Sequence, residues 1–164
     1  MNRVKHYLKE IAIFIVVMTI LANIISIYKS SDLNNQALKL SSVTLINGEL
    51  YSFKNNRPVL VHFWATWCPT CKLEASNIET ISKHYNVITI VVNSGSNREI
   101  KEYLDVNNLT FNVVNDYESI YASKFKIAAY PTTFIYDKNR DLVFSEVGYT
   151  STIGLYFRMW WAEI

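Results

Sequence analysis

The chain has 164 residues, enough for one domain of ordinary size and a separate N-terminal segment. It carries 16 basic and 14 acidic side chains. Residues 1–10 hold the whole net charge of +2, so residues 11–164 have 13 of each sign and no net charge. A domain without excess positive charge argues against nucleic acid as a partner.

The first predicted element is a membrane-spanning helix at residues 11–28. Its eighteen residues contain no charged side chain, a length at the short end of what crosses a bilayer. The basic residues before it predict, by the positive-inside rule, a cytoplasmic tail at 1–10 and export of everything that follows. The alternative is a cleaved signal peptide, but Ile27-Tyr28-Lys29-Ser30 offers no good pair of small residues for cleavage. The pattern favours an uncleaved, single-pass anchor.

A polar segment at residues 29–37 predicts a short linker, and the folded domain is expected at residues 38–164. Residues 38–53 alternate loosely between apolar and polar, and Asn47-Gly48 predicts a tight hairpin turn. A continuous apolar run follows at Val59–Trp64, which is typical of a strand buried in the centre of a sheet.

Two cysteines, Cys68 and Cys71, stand where the predicted central strand gives way to a helical pattern, and they are the only cysteines in the chain. A Cys-x-x-Cys pair at a strand-to-helix junction is typical of a dithiol redox site. With Cys68 at the helix start, unpaired N–H groups favour its thiolate, the form that attacks another disulfide. Cys71 then lies one turn later, and Pro69 suits the first helical position because it has no N–H.

A structural disulfide and half of a zinc site are the two other interpretations of the cysteine pair. Zinc normally takes four ligands, and neither His62 nor His84 has ligand spacing to the cysteines. We therefore expect no metal at this site, and the dithiol chemistry needs no nucleotide or flavin.

Strands and helices alternate in the rest of the chain, which predicts a βαβ unit followed by a ββα unit around one mixed sheet. The predicted elements are a helix at 68–85, a strand at 87–92, a helix opened by a Ser96/Glu99 capping box, a strand at 111–114, a helix at 117–125, and strands at 133–136 and 142–147. Thr150 is the predicted cap of a last helix, which has apolar residues on one face at Ile153, Phe157, Trp160 and Ile164.

Two stretches carry a resemblance to a known family. VLVHFWATWCPTCK resembles the thioredoxin active-site strand and turn, and AYPTTF resembles the cis-proline loop that faces it. With the predicted anchor, WATWCPTC is similar to the membrane-tethered TlpA/ResA/DsbE-type thiol:disulfide oxidoreductases. Among these, Gly148-Tyr149-Thr150-Ser151 before a Trp-rich helix resembles the suppressor-of-copper-sensitivity D group. The resemblance implies a thioredoxin-like α/β fold, with a mixed central sheet flanked by helices, preceded by one transmembrane helix.

The resemblance also implies roles for individual residues. Cys68 is the attacking cysteine and Cys71 the resolving one. Pro131 is expected in a cis peptide bond, with an ordinary trans turn as the alternative, and Tyr130 would offer backbone groups to an extended substrate peptide. Trp64 and Trp67 are expected to frame the site, or both serve only in packing. The residues expected to contact the substrate are Trp67, Pro69, Thr70, Tyr130 and Pro131.

The sequence departs from the family pattern at two places. Thioredoxins carry a buried acid that assists proton transfer at the second cysteine, where this chain has His62. His62 could replace that acid, since imidazole titrates near neutrality, or it could be a hydrogen-bonded core histidine. Many cytochrome-maturation members have an acidic residue and a distinctive loop where this chain reads Asn93–Ser96 and Lys126–Ala129. These differences weaken a role in cytochrome maturation without excluding it.

The patterns together predict an enzyme of the bacterial inner membrane whose catalytic domain faces the periplasm or the cell exterior. It is expected to exchange a dithiol for a disulfide with exported proteins that carry thiols or disulfides. A membrane thiol reductase or oxidase would restore its active form. Because neutral Thr70 stabilises the Cys68 thiolate less than a cationic histidine would, the sequence favours a reductant or isomerase.

Three other functions are compatible with the same residues. One is a thiol reductant for cytochrome c maturation. A second is a Cu(I)-binding or metallochaperone module, because two thiolates are soft ligands, although copper-chaperone relatives use a longer Cys-x-x-x-Cys spacing with a downstream histidine. The third is a tether without catalysis, against which the intact cysteine pair argues.

Overall fold

The computed structural model describes residues 41–53 and 56–164, and before them only Tyr7, Lys9–Ile11, Ile13, Phe14, Val17, Met18, Leu33, Ala37 and Leu38. Most of the predicted tail, anchor and linker therefore lies outside the described residues. Among the residues that are described, no helix is long and apolar enough to cross a membrane. The anchor at 11–28 stays a prediction.

From residue 41 onward, the described chain forms seven strands and four helices, whose order agrees with the predicted βαβ and ββα units. The strands are β1 Ser42–Thr44, β2 Leu50–Ser52, β3 Val59–Trp64, β4 Asn86–Val92, β5 Val113–Asp116, β6 Thr132–Tyr136 and β7 Leu142–Val147. The helices are α1 Pro69–Ser82, α2 Asn97–Val106, α3 Ile120–Lys124 and α4 Thr152–Glu163. The predicted hairpin turn at Asn47-Gly48 joins β1 to β2, which pair antiparallel.

Five strands form one mixed sheet in the order β5-β4-β3-β6-β7. The first three run parallel, whereas β6 and β7 are antiparallel to their neighbours. All six residues of β3 are buried, as its apolar run predicts for a central strand. The end of β3 therefore has a fixed position, and the cysteine segment begins there.

Each face of the sheet packs on its own apolar core, because side chains alternate along β3. Leu60 and Trp64 point to the first core, which is completed by buried residues of α1, α2 and α4 and contains both cysteines. Val61 and Phe63 point to the second core, which is completed by α3, the β1–β2 hairpin and Leu33. The chain thus buries both faces of its central strand, and the cysteines lie on the α1 side.

The last helix, α4, differs from its prediction in two respects. Ser151, and not Thr150, is the N-cap, and its side chain accepts a hydrogen bond from the Gly154 amide. The predicted apolar residues do share one face, but that face is exposed, and the buried side of α4 is formed by Leu155, Met159 and Ala162. Both sides of this helix are apolar, so periodicity alone could not select the buried one.

The orientation of α4 gives a direct stability test. Leu155 has no exposed surface, so Leu155→Ala removes buried methyl groups and is expected to lower the free energy of unfolding by about 2–5 kcal/mol. Ile153 is 82% exposed, and Ile153→Ala is expected to cost less than about 0.5 kcal/mol. Chemical denaturation of the purified, reduced chain compares the two variants. A larger loss for Ile153→Ala would contradict this orientation.

Candidate active site

Cys68 is the N-cap residue of α1, as the sequence predicts. Its backbone is extended, with φ −86° and ψ 115°, and Pro69 follows at the start of the helix. The Cys71 amide donates a hydrogen bond to the Cys68 sulfur over 3.2 Å. An N–H group and the positive end of the helix dipole therefore both face this sulfur, and each stabilises a thiolate there.

Cys71 lies one turn further along α1, on the side of the helix that is buried in the first core. Burial raises the pKa of the Cys71 thiol, and the side-chain hydrogen bond between this thiol and Cys68 raises it further. Both cysteines are free thiols in this structure. The two sulfurs thus have different environments, because the first sits at a helix start and the second inside the core.

The loop before β6 faces Cys68. The Tyr130–Pro131 peptide bond is cis, as the sequence motif predicts. The Cys68 sulfur lies 3.7 Å from the carbonyl oxygen of Tyr130, to which its S–H can donate. The Pro131 carbonyl accepts a hydrogen bond from Gly148 at 2.8 Å, which fixes the loop to the residue after β7. The sulfur is therefore bordered by the backbone of the cis-proline loop.

Trp67 forms the exposed rim of the site. Its ring meets the Tyr130 ring edge to face, with centroids 5.6 Å apart, and its indole N–H donates to the Asn93 carbonyl over 3.0 Å. The next loop residue, Ser94, accepts a hydrogen bond from the Thr66 amide. Asn93 has a left-handed φ of 46°, a conformation that asparagine tolerates. The loop after β4 thus holds the residues that precede the cysteines, a role that the sequence did not reveal.

The predicted substrate contacts lie around one opening above a buried sulfur. Cys68 is only 5% exposed, whereas Trp67 is 57% exposed. Pro69 is exposed, Thr70 and Tyr130 are half-buried, and Pro131 is buried. Trp64, the other predicted frame residue, is 3% exposed and packs against Tyr103 and Phe111 in the core. Only one of the two tryptophans therefore borders the opening.

His62 is buried in the middle of β3. Its Nδ1 lies 2.9 Å from the Thr133 hydroxyl on the neighbouring strand. Burial lowers the pKa of His62 to about 3, so the imidazole is neutral near pH 7. Among the described residues, no hydrogen bond joins His62 to either cysteine. The geometry is that of a hydrogen-bonded core histidine, and its role in proton transfer remains a prediction.

Glu74 is a titratable residue of the site that the sequence analysis missed. It lies three positions after Cys71 on the buried side of α1 and has no exposed surface. One carboxyl oxygen accepts the Thr150 amide at 3.0 Å, and the other has no hydrogen-bond partner. Burial raises the pKa of Glu74 to about 8, and the charge of Glu146 adds to this shift. A charged residue on the buried helical stripe was the signal that could have revealed it.

A carboxyl with a pKa near neutrality beside the buried thiol can accept or return a proton. The charge of Glu74 is one of the contributions that raise the pKa of Cys71, although burial is the largest. Ionised Glu74 therefore disfavours a second negative charge on Cys71, while its carboxylate is a base for the proton that Cys71 must lose.

The raised pKa of Glu74 makes stability depend on pH. The folded state holds this proton up to about pH 8, whereas the ordinary pKa of a glutamate is about 4.5, so stability falls as pH rises between these values. The slope approaches about 1.4 kcal/mol per pH unit from this group. Glu74→Gln should abolish that part of the slope, while the exposed Glu118→Gln should keep it.

The measurement is denaturation of the reduced chain at several values between pH 5 and pH 8. Glu74→Gln is expected to gain stability relative to wild type as the pH rises. Parallel slopes for wild type and Glu74→Gln would show that Glu74 does not carry a raised pKa.

Known proteins are similar to this chain in sequence and in fold. Residues 34–145 match the AhpC/TSA family. A thioredoxin-like protein of Haemophilus influenzae is 32% identical over 132 residues, which cover 76% of this chain and 78% of that protein. Sporulation thiol-disulfide oxidoreductase A of Bacillus subtilis is 29% identical over 111 residues, which cover 63% of this chain and 67% of that protein.

A solved structure agrees with the fold. A secreted disulfide oxidoreductase of Mycobacterium tuberculosis, described as homologous to DsbE of Escherichia coli, superposes with a TM-score of 0.62 at 18% identity. The match covers 72% of this chain and 92% of that one, which establishes the thioredoxin-like fold. Because the family match covers most of its length, the chain belongs to the AhpC/TSA family. Its relatives and its cysteine pair identify it as a thiol:disulfide oxidoreductase.

Proposed function

We propose that this oxidoreductase acts outside the cytoplasm, where its Cys68–Cys71 pair reduces or rearranges disulfides of exported proteins. The observation that carries the proposal is the setting of Cys68. Its sulfur accepts the Cys71 amide at a helix start and lies against the Tyr130 carbonyl beside a cis-proline. This setting favours a thiolate beside a loop whose backbone can bind an extended peptide.

The reaction begins with attack of the Cys68 thiolate on one sulfur of a substrate disulfide. A Cys68–substrate disulfide forms, the substrate S–S bond breaks, and the released substrate thiolate takes a proton. Cys71 then gives its proton to water, or to Glu74 in the molecules where that carboxyl is ionised, and attacks the Cys68 sulfur. The second substrate thiolate leaves, two electrons have passed to the substrate, and Cys68 and Cys71 are joined. A membrane dithiol reductase would return the pair to the reduced form.

The predicted substrate contacts fit an extended peptide with an apolar side chain near its cysteine. Tyr130 presents its carbonyl next to Cys68, and a peptide N–H can bind such an edge group. Trp67 offers a half-exposed ring fixed by Asn93 and Tyr130, which gives contact area at little cost in side-chain entropy. Pro69 and Thr70 complete the border of the opening.

The extracytoplasmic location and the anchor at 11–28 belong to the same proposal. The uncharged segment follows a basic tail, which favours a cytoplasmic N-terminus and an exported domain. The structural relative from Mycobacterium tuberculosis is described as secreted, and disulfide exchange suits an oxidising compartment. We place the chain in a bacterial inner membrane with its catalytic domain outside.

Two narrower functions can be weighed against the structure. A thiol reductant for cytochrome c maturation is the alternative substrate assignment, but Asn93 and Ser94 here hold Trp67 and Thr66 by hydrogen bonds at the position where such relatives carry an acid. A Cu(I) module could use the two thiolates alone, because they are soft ligands. Across the part of the chain that is described, no group of three or more His, Cys, Asp or Glu is arranged to hold a metal. Neither alternative is favoured by a specific contact.

The order of the two cysteines can be tested by trapping. Cys71→Ser should accumulate mixed disulfides with exported proteins, because the Cys68–substrate disulfide can no longer be resolved, and its insulin-reduction rate should fall to background. Cys68→Ser is the matched control and should trap nothing. Non-reducing gels of alkylated cells report both variants. Equal trapping by the two variants, or by neither, would refute the assignment of attacker and resolver.

The direction of electron flow depends on residue 70. A cationic side chain there would stabilise the Cys68 thiolate and so the reduced protein, making it a stronger oxidant. Thr70→His should therefore raise the reduction potential, by about 30 mV for each unit by which it lowers the pKa of Cys68. A glutathione-buffered redox titration of both proteins measures the shift. A wild-type potential as high as that of strong periplasmic oxidants would overturn the reductant assignment.

A further inference from the structure

The outer face of α4 is a stripe of large apolar side chains without a partner in the described structure. Its exposed fractions range from 51% for Trp160 to 82% for Ile153. These positions fall within an arc of about 100° on the helix, directly opposite the buried side. The outer face consists of Ile153, Phe157, Trp160, Trp161 and Ile164.

The aromatic residues of the outer face form one continuous surface. The Phe157 ring lies 5.9 Å from that of Trp160 and 6.2 Å from that of Trp161. Single exposed apolar residues are normal on a soluble protein, but a contiguous group marks a surface that contacts something else. Tryptophan is also the residue that favours the boundary between a bilayer and water, because its ring is apolar and its N–H is polar.

The C-terminal half of α4 lies at the end of the domain opposite the cysteines. Tyr156 packs against His84 and Tyr85, which connect α1 to β4. An open cleft there is bordered by Tyr156 and Glu163 of α4, by Arg57 just before β3, and by Lys138 in the turn after β6. Cys68 follows the other end of β3. The C-terminal half of the outer face and the redox site therefore lie at opposite ends of the sheet.

The chain enters the domain at this same end. The Leu38 amide donates to the Arg140 carbonyl in the turn between β6 and β7, and Leu38 and Leu33 are both buried in the second core. Leu33 is five residues after Tyr28, the end of the predicted anchor, and five extended residues span at most about 18 Å. An anchored domain is thus held with its α4 end near the bilayer.

Exposed cations surround this end as well. Arg57, Lys83 and Lys138 are exposed there, although Lys83 pairs with Glu79 and Glu163 adds one negative charge. Basic side chains beside an apolar surface favour contact with anionic lipid headgroups. The charge, the C-terminal half of the aromatic surface and the entry point of the chain lie at the same end of the sheet, although α4 covers one face of the sheet and Leu33 and Leu38 are buried on the other.

We propose that the outer face of α4 rests on the lipid surface of the membrane that carries the anchor. The contact rests on the anchored topology of the proposed function. It fixes the orientation of the domain, with Trp160 and Trp161 at the headgroup level and Cys68 directed away from the bilayer toward soluble exported proteins. A second copy of the chain or another membrane protein is the competing occupant of this face.

Fluorescence quenching tests the contact on the full chain. The protein is reconstituted in vesicles of phosphatidylcholine and phosphatidylglycerol, with or without phosphatidylcholine brominated near the top of its acyl chains. Wild type should show strong quenching of tryptophan emission by the brominated lipid. The double variant Trp160→Ser with Trp161→Ser should lose that quenching several-fold, whereas Trp67→Phe, which removes an equally exposed tryptophan at the other end, should keep it.

Two further measurements separate the possible failures. Insulin reduction by the double variant in detergent should equal that of wild type, which shows that the fold and the redox site are intact. A chain that does not float with the vesicles after a carbonate wash would contradict the anchor and the lipid contact together. A chain that floats, but whose quenching is the same in wild type and the double variant, would contradict only the lipid contact. Tryptophan shielding that depends on protein concentration, without quenching by bromine, would assign the face to a second copy and overturn the proposal.

Discussion

The hydrogen bond from the Cys71 amide to the Cys68 sulfur is the interaction on which the chemistry of this protein depends. It exists because Cys68 is the N-cap residue of α1. Pro69, the next residue, has no backbone N–H that could compete for the sulfur. That position is in turn fixed by β3, which is buried on both faces and ends four residues earlier. A flexible Cys-x-x-Cys segment would sample this geometry only part of the time, whereas a central strand imposes it permanently.

A line of polar contacts connects the redox site to the last part of the chain. The Thr150 amide donates to Glu74 and its hydroxyl donates to Glu146, which pairs with Arg158 of α4. Asn77 on α1 adds a hydrogen bond to the Thr150 carbonyl. The segment between β7 and α4 thus sets the environment of the buried carboxyl beside Cys71. Substitutions in this segment can alter the redox pair without touching either sulfur.

The two ends of the central sheet carry different parts of the chain. Parallel strands bring their carboxyl ends together, and the cysteines and the loop after β4 meet there. The opposite end collects the entry of the chain, the turn after β6 and the C-terminal half of α4. In the proposed topology, this separation would leave the cysteine end open to substrates while the opposite end is attached.

Local patterns in the sequence determined the parts of the protein that depend on neighbours along the chain. The apolar run of β3, the cysteine pair at a helix start and the Ser96/Glu99 capping box are all present as predicted, because each is stabilised within a few residues of itself. The cis bond before Pro131 also followed from a local motif.

Only the tertiary structure decided properties that depend on distant segments. The buried side of α4 was selected by its packing on α1 and β6, since both sides of that helix are apolar. Trp64 became a core residue and Trp67 a rim residue because one ends β3 and the other lies in the turn beyond it. The raised pKa of Glu74 arises from burial under a segment more than seventy residues away, where Thr150 is its hydrogen-bond donor. The position of Glu74 on the buried stripe of α1 could have indicated its burial, but the size of the pKa shift depends on a distant segment that excludes water only in the folded chain.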